Sequence, residues 1–243
     1  MEFSIRRVNA LFKKEVKDLI KNRNVSIMYI LPIVFSIIFS KMIGRDISSN
    51  NEEKINVIIT CISMNIIIVS SYVMSMLIAE EKEKNALRTL MISGLSPLEF
   101  FTGKALITFV TTEIINVVIF FIFNMNIQYL GAYTLLTTLV VFSMIEIGGI
   151  IGIISPNQMA TGVVGIPVLM IFYMIPVFAS FNIIIAKVAK LLPNYNMNII
   201  LQNLFKGEGI STGFSYSITV ILVWVIMAAA AFAYTYNKIG LDK

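Results

Sequence analysis

Few side chains of this sequence are of the types that catalyse reactions or hold metal ions. Histidine is absent, and Cys61 is the single cysteine among 243 residues. These counts exclude a disulfide framework, a zinc or haem site of cysteine and histidine, and a histidine general base. The one Gly-Lys pair, Gly103-Lys104, is followed by Ala105 and lacks the upstream glycine of a phosphate-binding loop. We therefore predict that the chain is not an enzyme, holds no metal or cofactor, and leaves ATP and magnesium to a partner chain.

The pair Glu80-Glu81 stands at the end of an apolar run, as in intramembrane proteases with a Glu-Glu-x-x-x-Arg motif. In this sequence the arginine position is Asn85, and the histidine that those enzymes need is absent. The protease hypothesis is therefore rejected.

Two further carboxylates, Glu113 and Glu146, lie inside apolar stretches. Counted at 1.5 Å per residue from helix ends near residues 104 and 154, both lie roughly 12 Å deep in consecutive antiparallel helices. No lysine or arginine of those stretches neutralises them, so they stay protonated, share a proton or face a wet cavity. They either line a transport route that favours cationic substrates or form a protonated pair that joins two helices.

The elements that carry these residues are strongly apolar. Hydrophobic residues make up 57% of the chain and charged residues 14%, with a mean hydropathy of +0.84. That charge is too low to cover a soluble domain, which carries about 25%. Residues 55–79, 147–186 and 209–237 contain no charged residue, and about 20 apolar residues suffice to cross a bilayer. The sequence therefore predicts an all-α polytopic membrane protein.

Six spans are predicted from charge-free length and turn residues, within a single transmembrane domain covering residues 1–243. The turn at Ser155-Pro156-Asn157-Gln158 divides the longest apolar run into two spans. No piece between spans is long enough to bury a core of its own. The predicted spans are residues 25–43, 55–79, 105–123, 133–154, 160–185 and 216–236.

Residues 3–23 carry a different pattern, in which apolar residues recur at helical spacing while lysines and arginines occupy the other faces. This pattern predicts a basic amphipathic helix in the membrane interface, and a solvated leader segment is the alternative. With both termini in the cytoplasm, the cytoplasmic pieces hold 13 lysines and arginines and the outer pieces hold 6. The positive-inside rule therefore predicts cytoplasmic termini.

The piece before the last span, residues 186–215, has an apolar side and a polar side. This two-sided pattern predicts short helices that enter the outer leaflet of the membrane, and an ordinary surface loop is the alternative. The apolar side holds Met197, Ile200, Leu201 and Leu204, and the polar side holds Asn196, Asn198, Gln202 and Asn203.

The segment between the second and third spans, residues 80–104, begins with a charged run and ends with a helix start. Ser96 is the expected cap, Pro97 the first helical residue, and Glu99 completes a capping box. These features predict a short helix at the cytoplasmic face, joined rigidly to two spans. Such a helix is suited to transmitting a movement of a cytoplasmic partner to the membrane spans.

This segment resembles the signature loop of type-2 ATP-binding-cassette exporter permeases, which precedes the third of six spans and docks on the ATPase. The resemblance rests on the charged run, Leu87, the Ser-Gly-Leu-Ser-Pro stretch of residues 93–97, and Gly103-Lys104. The amphipathic helix, the cytoplasmic termini and the outer segment extend the resemblance over nearly the whole chain. The chain departs from it at residues 85–88, which read Asn-Ala-Leu-Arg where the family usually has Gly-Thr-Leu-Glu.

The resemblance implies two permease subunits, identical or paralogous, that work with two cytoplasmic ATPase subunits. It also implies which residues couple the permease to the ATPase. They are Glu81, Glu83, Leu87, Leu90, Ser96, Pro97, Leu98, Glu99, Phe101, Gly103 and Lys104.

We therefore expect the permease subunit of an ATP-driven exporter in the plasma membrane, in contact with lipid but not with nucleic acid. Fourteen methionines and many Ile and Phe residues suggest adaptable surfaces for amphipathic peptides, lipids or hydrophobic drugs. The abundance of Ile, Asn and Lys is typical of AT-rich Gram-positive genomes, whose exporters of phenol-soluble modulins are plausible relatives. The alternatives are an ion-coupled secondary transporter or channel that uses Glu113 and Glu146, and a membrane immunity or scaffold protein.

Overall fold

The computed structural model describes residues 3–43, 51–84, 94–208 and 213–239, and all regular structure in these ranges is helical. Six helices in these ranges are long and apolar enough to cross a membrane, which confirms the all-α polytopic fold. They are α2 (Arg23–Ile43), α3 (Asn51–Glu83), α4 (Pro97–Ile122), α5 (Leu130–Ile154), α6 (Ala160–Phe178) and α9 (Phe214–Ile239). The other helices are α1 (Ile5–Lys21), α7 (Ile183–Ala189) and α8 (Pro193–Lys206), and a single 3₁₀ turn (Ile127–Tyr129) precedes α5.

An even number of spans separates α1 from the end of α9, so both lie at the same end of the bundle. We call this the α1 end, and we call the opposite end, which carries α7 and α8, the α8 end. At the α1 end, α1 packs on α4, and its Val8 and Leu11 are buried, with 6% and 4% exposed. Ile5 and Val16 remain exposed, so α1 presents apolar surface to protein on one side and to its surroundings on another.

The second span, α3, changes its winding halfway along. A π-helical segment, Ile66–Val73, connects the α-helical Asn51–Asn65 to the α-helical Met74–Glu83. Turns of this kind are rare in proteins, and many of those that do occur lie at functional sites. The helix is continuous through this segment, but the wider winding rotates the side chains of Met74–Glu83 about the helix axis relative to the 3.6-residue repeat of Asn51–Asn65.

The central helix is α5, which packs against α3, α4 and α9. At the contact with α3, a Cβ atom on Gly152 would lie 2.9 Å from the Ser75 carbonyl oxygen, so only glycine fits. The Ser71 hydroxyl donates a 2.6 Å hydrogen bond to the Met144 carbonyl oxygen across the same contact. Close backbone approach and interhelical hydrogen bonds are two of the forces that hold helices together in lipid.

The third span begins earlier than residue 105, where the sequence placed it. Ser96 caps a helix that starts at Pro97 and continues without a break through the span. The loop predicted for residues 80–104 is correspondingly shorter.

The fifth span ends at Phe178 rather than at residue 185. The chain then turns, and the Asn182 side chain starts α7 by accepting a 2.7 Å hydrogen bond from the Ile184 N–H. A cap of this strength favours a new helix over continuation of the old one.

The segment that follows forms the packed helix α8, which contacts α3, α5 and α9. Met197, Ile200 and Leu201 are buried, in agreement with the predicted apolar side. On the polar side, Gln202 Nε2 donates a 3.1 Å hydrogen bond to Asn56 Oδ1 of α3. Because both sides of α8 contact protein, it is part of the bundle and not a surface loop.

Candidate coupling site and transport cavities

The start of α4 has the capping box that its sequence predicts. The Ser96 hydroxyl accepts a hydrogen bond from the Glu99 N–H (3.3 Å), and the Glu99 carboxylate accepts one from the Ser96 N–H (2.8 Å). Pro97 occupies the first helical position, where its missing N–H costs no hydrogen bond. The expected short helix is not separate, however, because its residues form the first turns of the third span. A force on this end would therefore pass directly along α4.

Glu99 is fully buried and binds α1 as well as its own helix. Its Oε1 accepts hydrogen bonds from the Ser4 N–H (2.5 Å) and from Arg7 Nη2 (2.8 Å), and both oxygens lie 3.0 Å from Arg7 Nε. The hydrogen bond to Glu99 raises the pKa of the Arg7 guanidinium above its ordinary value. Such charge-assisted contacts are among the stronger hydrogen bonds in proteins, and this pair joins the start of α1 to the start of α4.

A second set of ion pairs, which we call the buried charge cluster, consists of Lys14, Glu15, Glu81 and Lys104. The Lys104 Nζ atom lies 2.8 Å from Glu15 Oε2 of α1 and 2.9 Å from Glu81 Oε1 of α3. Lys14 Nζ lies 2.7 Å from the same Glu81 oxygen. Burial by itself lowers the pKa of Lys14. The hydrogen bond to Glu81 and the negative charge of Glu81 act the other way, and the pKa of Lys14 is raised above its ordinary value. The carboxylates are compensated only while α1, α3 and α4 stay together.

The apolar residues expected to contact an ATPase differ in their exposure. Leu98 is 64% exposed and free to meet a partner. Phe101, in contrast, packs on Phe232 of α9 with ring centroids 3.9 Å apart, so it is a contact within the bundle. Leu87 and Leu90 lie outside the described residues.

Two other residues of the coupling set also contact the protein itself. A Cβ atom on Gly103 would lie 2.6 Å from Leu11 Cδ2, so this glycine lets α1 approach α4. Glu83, at the end of α3, accepts a 3.0 Å hydrogen bond from the Gln158 N–H in the turn before α6. Glu81, Glu99, Phe101, Gly103 and Lys104 thus hold helices in place, and Leu98 is the exposed apolar member among the described residues of the set.

The structure separates the two membrane carboxylates that the sequence places side by side. Glu113 Oε2 accepts a 3.1 Å hydrogen bond from the Thr137 hydroxyl, and Glu146 lies nine residues further along α5, about 13 Å away. The two carboxylates are not at matching positions as predicted, because Glu113 lies 16 residues after the start of its helix at Pro97, whereas Glu146 lies 8 residues before the end of α5 at Ile154. Glu146 is partly buried, and its Oε2 has no hydrogen-bond partner in the described ranges.

A buried amide network next to Glu113 was not anticipated from the sequence. Asn65 Nδ2 donates to Asn116 Oδ1 (2.8 Å) and to the Thr112 carbonyl oxygen (3.1 Å), and the Tyr133 hydroxyl donates to the Asn116 carbonyl oxygen (2.9 Å). The sequence feature that could have revealed this network is the presence of Asn65 and Asn116 within apolar spans. The network joins α3, α4 and α5 in the interior of the bundle.

Two adjacent cavities lie along α3 and α6, and together we call them the transport groove, after the role that we propose for them. One, of about 430 Å³ at the α8 end, has several polar wall residues. The other, of about 410 Å³, has an almost wholly apolar wall that includes Ile68 and Leu169, and Tyr173 lines both. Each has the size of a small-molecule site. Neither Glu113 nor Glu146 lines them, so the groove differs from the route proposed from sequence. The polar wall includes Asn56, Thr60, Ser63, Asn198 and Gln202.

Six helices that can span a membrane and an amphipathic helix fastened to the third of them define the class of polytopic membrane proteins. The family model described as ABC-2 family transporter protein matches residues 48–235, most of the chain. The chain therefore belongs to the ABC-2 transporter family, whose members are membrane permease components that normally work with a cytoplasmic ATPase. The resemblance to an ATP-binding-cassette permease is thus confirmed at the level of the family. No match is found among curated proteins.

Proposed function

We propose that this chain is the permease subunit of an ATP-driven exporter and that it moves amphipathic molecules out of the cell through the transport groove. The observation that carries the proposal is the division of the groove into a polar part and an apolar part, both lined by Tyr173. A molecule with a polar and an apolar portion would match both parts without burying an unpaired polar group. Amphipathic peptides such as phenol-soluble modulins, lipids and hydrophobic drugs share this character.

The α1 end faces the cytoplasm in this proposal, because that orientation gives the 13-to-6 excess of inner positive charge. An ATPase subunit, which supplies the ATP and magnesium site, would contact exposed Leu98 at the start of α4. A second permease subunit, identical or paralogous, would complete the pathway.

The contacts within the bundle support a route from the ATPase to the groove. A push on the start of α4 would move Lys104, whose Nζ atom is bonded to Glu81 of α3. The other half of α3 carries Asn56, Thr60 and Ser63, which line the polar part of the groove. Movement at the α1 end would thereby change the groove.

The test is export by the permease reconstituted with the ATPase that copurifies with it, using a fluorescent cationic amphipathic peptide. Ile166 lines the apolar part of the groove and is 50% exposed, so Ile166→Trp should block the groove without disturbing the core. Ile226→Trp is the matched control, because Ile226 is 70% exposed on α9 and does not line either cavity. We expect ATP-dependent export to fall only in the first variant.

Two outcomes would contradict the proposal. Equal export by both tryptophan variants would remove the groove as the route. Transport driven by an ion gradient without any ATPase would instead support the secondary transporter.

A further inference from the structure

At the α1 end, a cavity of about 500 Å³ lies where α1 turns into α2 and meets the end of α3. We call it the elbow cavity. None of its wall residues lines the transport groove or belongs to α4. The wall residues that matter here are Lys21, Asn22, Arg23, Glu80, Lys84 and Gln158.

The acidic side chains of the elbow cavity are already compensated. Glu80 accepts a 2.6 Å hydrogen bond from Asn22 Nδ2 and forms an ion pair with Lys84. Asp18, which also lines the cavity, lies 3.9 Å from the Lys14 ammonium group. Because both carboxylates are paired in this way, the positively charged side chains of the wall outnumber the carboxylates that could still pair with them.

Several hydrogen-bond donors of the wall have no protein acceptor among the residues that the structure describes. Lys21 and Arg23 form no ion pair with the part of the chain that the structure describes. The Nε2 atom of Gln158 is buried and lacks a hydrogen-bond partner within the same residues. In addition, the 21-residue helix α2 begins at Arg23, so the positive end of its dipole lies at the cavity. Two cations, an amide donor and a helix N-terminus together are the groups that bind phosphate in proteins.

The surface next to the cavity favours a lipid as the source of the phosphate. Ile27 and Ile30 follow Arg23 at four and seven residues, which puts all three on one face of α2. Their side chains are 55% and 57% exposed. An apolar strip therefore leads from the cavity along the first span, where acyl chains would lie.

We propose that the elbow cavity binds the headgroup phosphate of an anionic lipid from the adjacent leaflet, whose acyl chains lie along Ile27 and Ile30. The lipid would fill the junction of α1, α2 and α3 and give Lys21 and Arg23 a counter-charge. This inference does not depend on the transported substrate.

Native mass spectrometry of the detergent-solubilised full chain tests the proposal. Separate titrations with phosphatidylglycerol and phosphatidylcholine give the dissociation constant of the first bound lipid in each case. We expect tighter binding of phosphatidylglycerol, and Lys21→Gln and Arg23→Gln should each weaken it about fivefold while leaving phosphatidylcholine unchanged. Gln158→Leu, which removes the amide donor, should also weaken phosphatidylglycerol specifically.

Lys17→Gln is the matched control, because Lys17 is an exposed lysine of α1 that does not line the cavity. An equal loss in this variant would show diffuse attraction to the basic helix and would overturn the proposal. Displacement of phosphatidylglycerol by glycerol phosphate would identify a soluble phosphate compound as the ligand and overturn the lipid assignment. If Arg23→Gln does not fold, the variants at Lys21 and Gln158 decide the matter.

Discussion

Lys104 shows what burial does to a charged side chain at the coupling end. With 2% of its surface exposed, it lies between carboxylates from two other helices. Each charge of the cluster is stable in this environment because its partners are close, and removal of the central cation leaves the two buried carboxylates with only Lys14 of the cluster to compensate them. The role of Lys104 is therefore to position α1 and α3 rather than to contact a partner.

We expect Lys104→Met to lower the free energy of unfolding by about 3 kcal/mol, because the buried Glu15 and Glu81 are then left with the partly exposed Lys14 as their shared cation. Thermal and denaturant unfolding of the purified chain in detergent would measure the loss. Lys206→Met, which removes an ion pair with the exposed Glu52, is the control and should change stability little. A similar change in both variants would contradict the structural role of the cluster.

At the scale of the element, α4 combines the docking surface that we propose for the ATPase with a membrane span. Its first turns carry a capping box, exposed Leu98 and partly buried Phe101, and the helix continues through the span. One rigid helix thus begins at the proposed ATPase contact and ends at the α8 end. Substitutions in its first turns should separate coupling from folding.

Leu98→Asp should abolish transport-coupled ATP hydrolysis while the permease remains folded, because Leu98 is exposed and its apolar contact is proposed to bind the ATPase. ATPase assays of the reconstituted complex measure the effect, and Leu98→Met should retain activity. Phe101→Asp should instead reduce the yield of folded protein, since its ring packs on Phe232. Normal coupling in Leu98→Asp would disprove docking at this residue.

The contact between α3 and α5 offers a second test at this scale. Gly152→Ala places a Cβ atom 2.9 Å from the Ser75 carbonyl oxygen, which we expect to cost about 1–3 kcal/mol through overpacking. The control is Gly131→Ala on the same helix, where a Cβ atom meets nothing within 4 Å and stability should not fall. Unfolding measurements on both variants provide the comparison, and an unchanged Gly152→Ala would mean that the two helices separate easily.

For the whole molecule, the features predictable from the sequence are those with local causes. The six spans follow from charge-free length, and the start of α4 follows from Ser96, Pro97 and Glu99, which interact within one turn. The transport groove and the buried charge cluster depend on which helices become neighbours, and nothing in the spacing brings Glu15 to Lys104. The supposed pairing of Glu113 with Glu146 failed for the same reason, since it required knowing where α4 begins.

The π-helical segment of α3 has a consequence for mapping this span by chemical labelling. With Cys61 replaced, single cysteines placed along α3 should react with a water-soluble thiol reagent at the usual 3.6-residue interval from Asn51 to Asn65. Because Ile66–Val73 is wound more widely, the reactive positions after Val73 should fall out of step with that series. A reactivity pattern that kept one helical phase through all of α3 would show an ordinary α-helix there. The water-facing positions of α3 near one membrane surface therefore cannot be used, by counting 3.6 residues per turn, to predict the water-facing positions near the opposite surface.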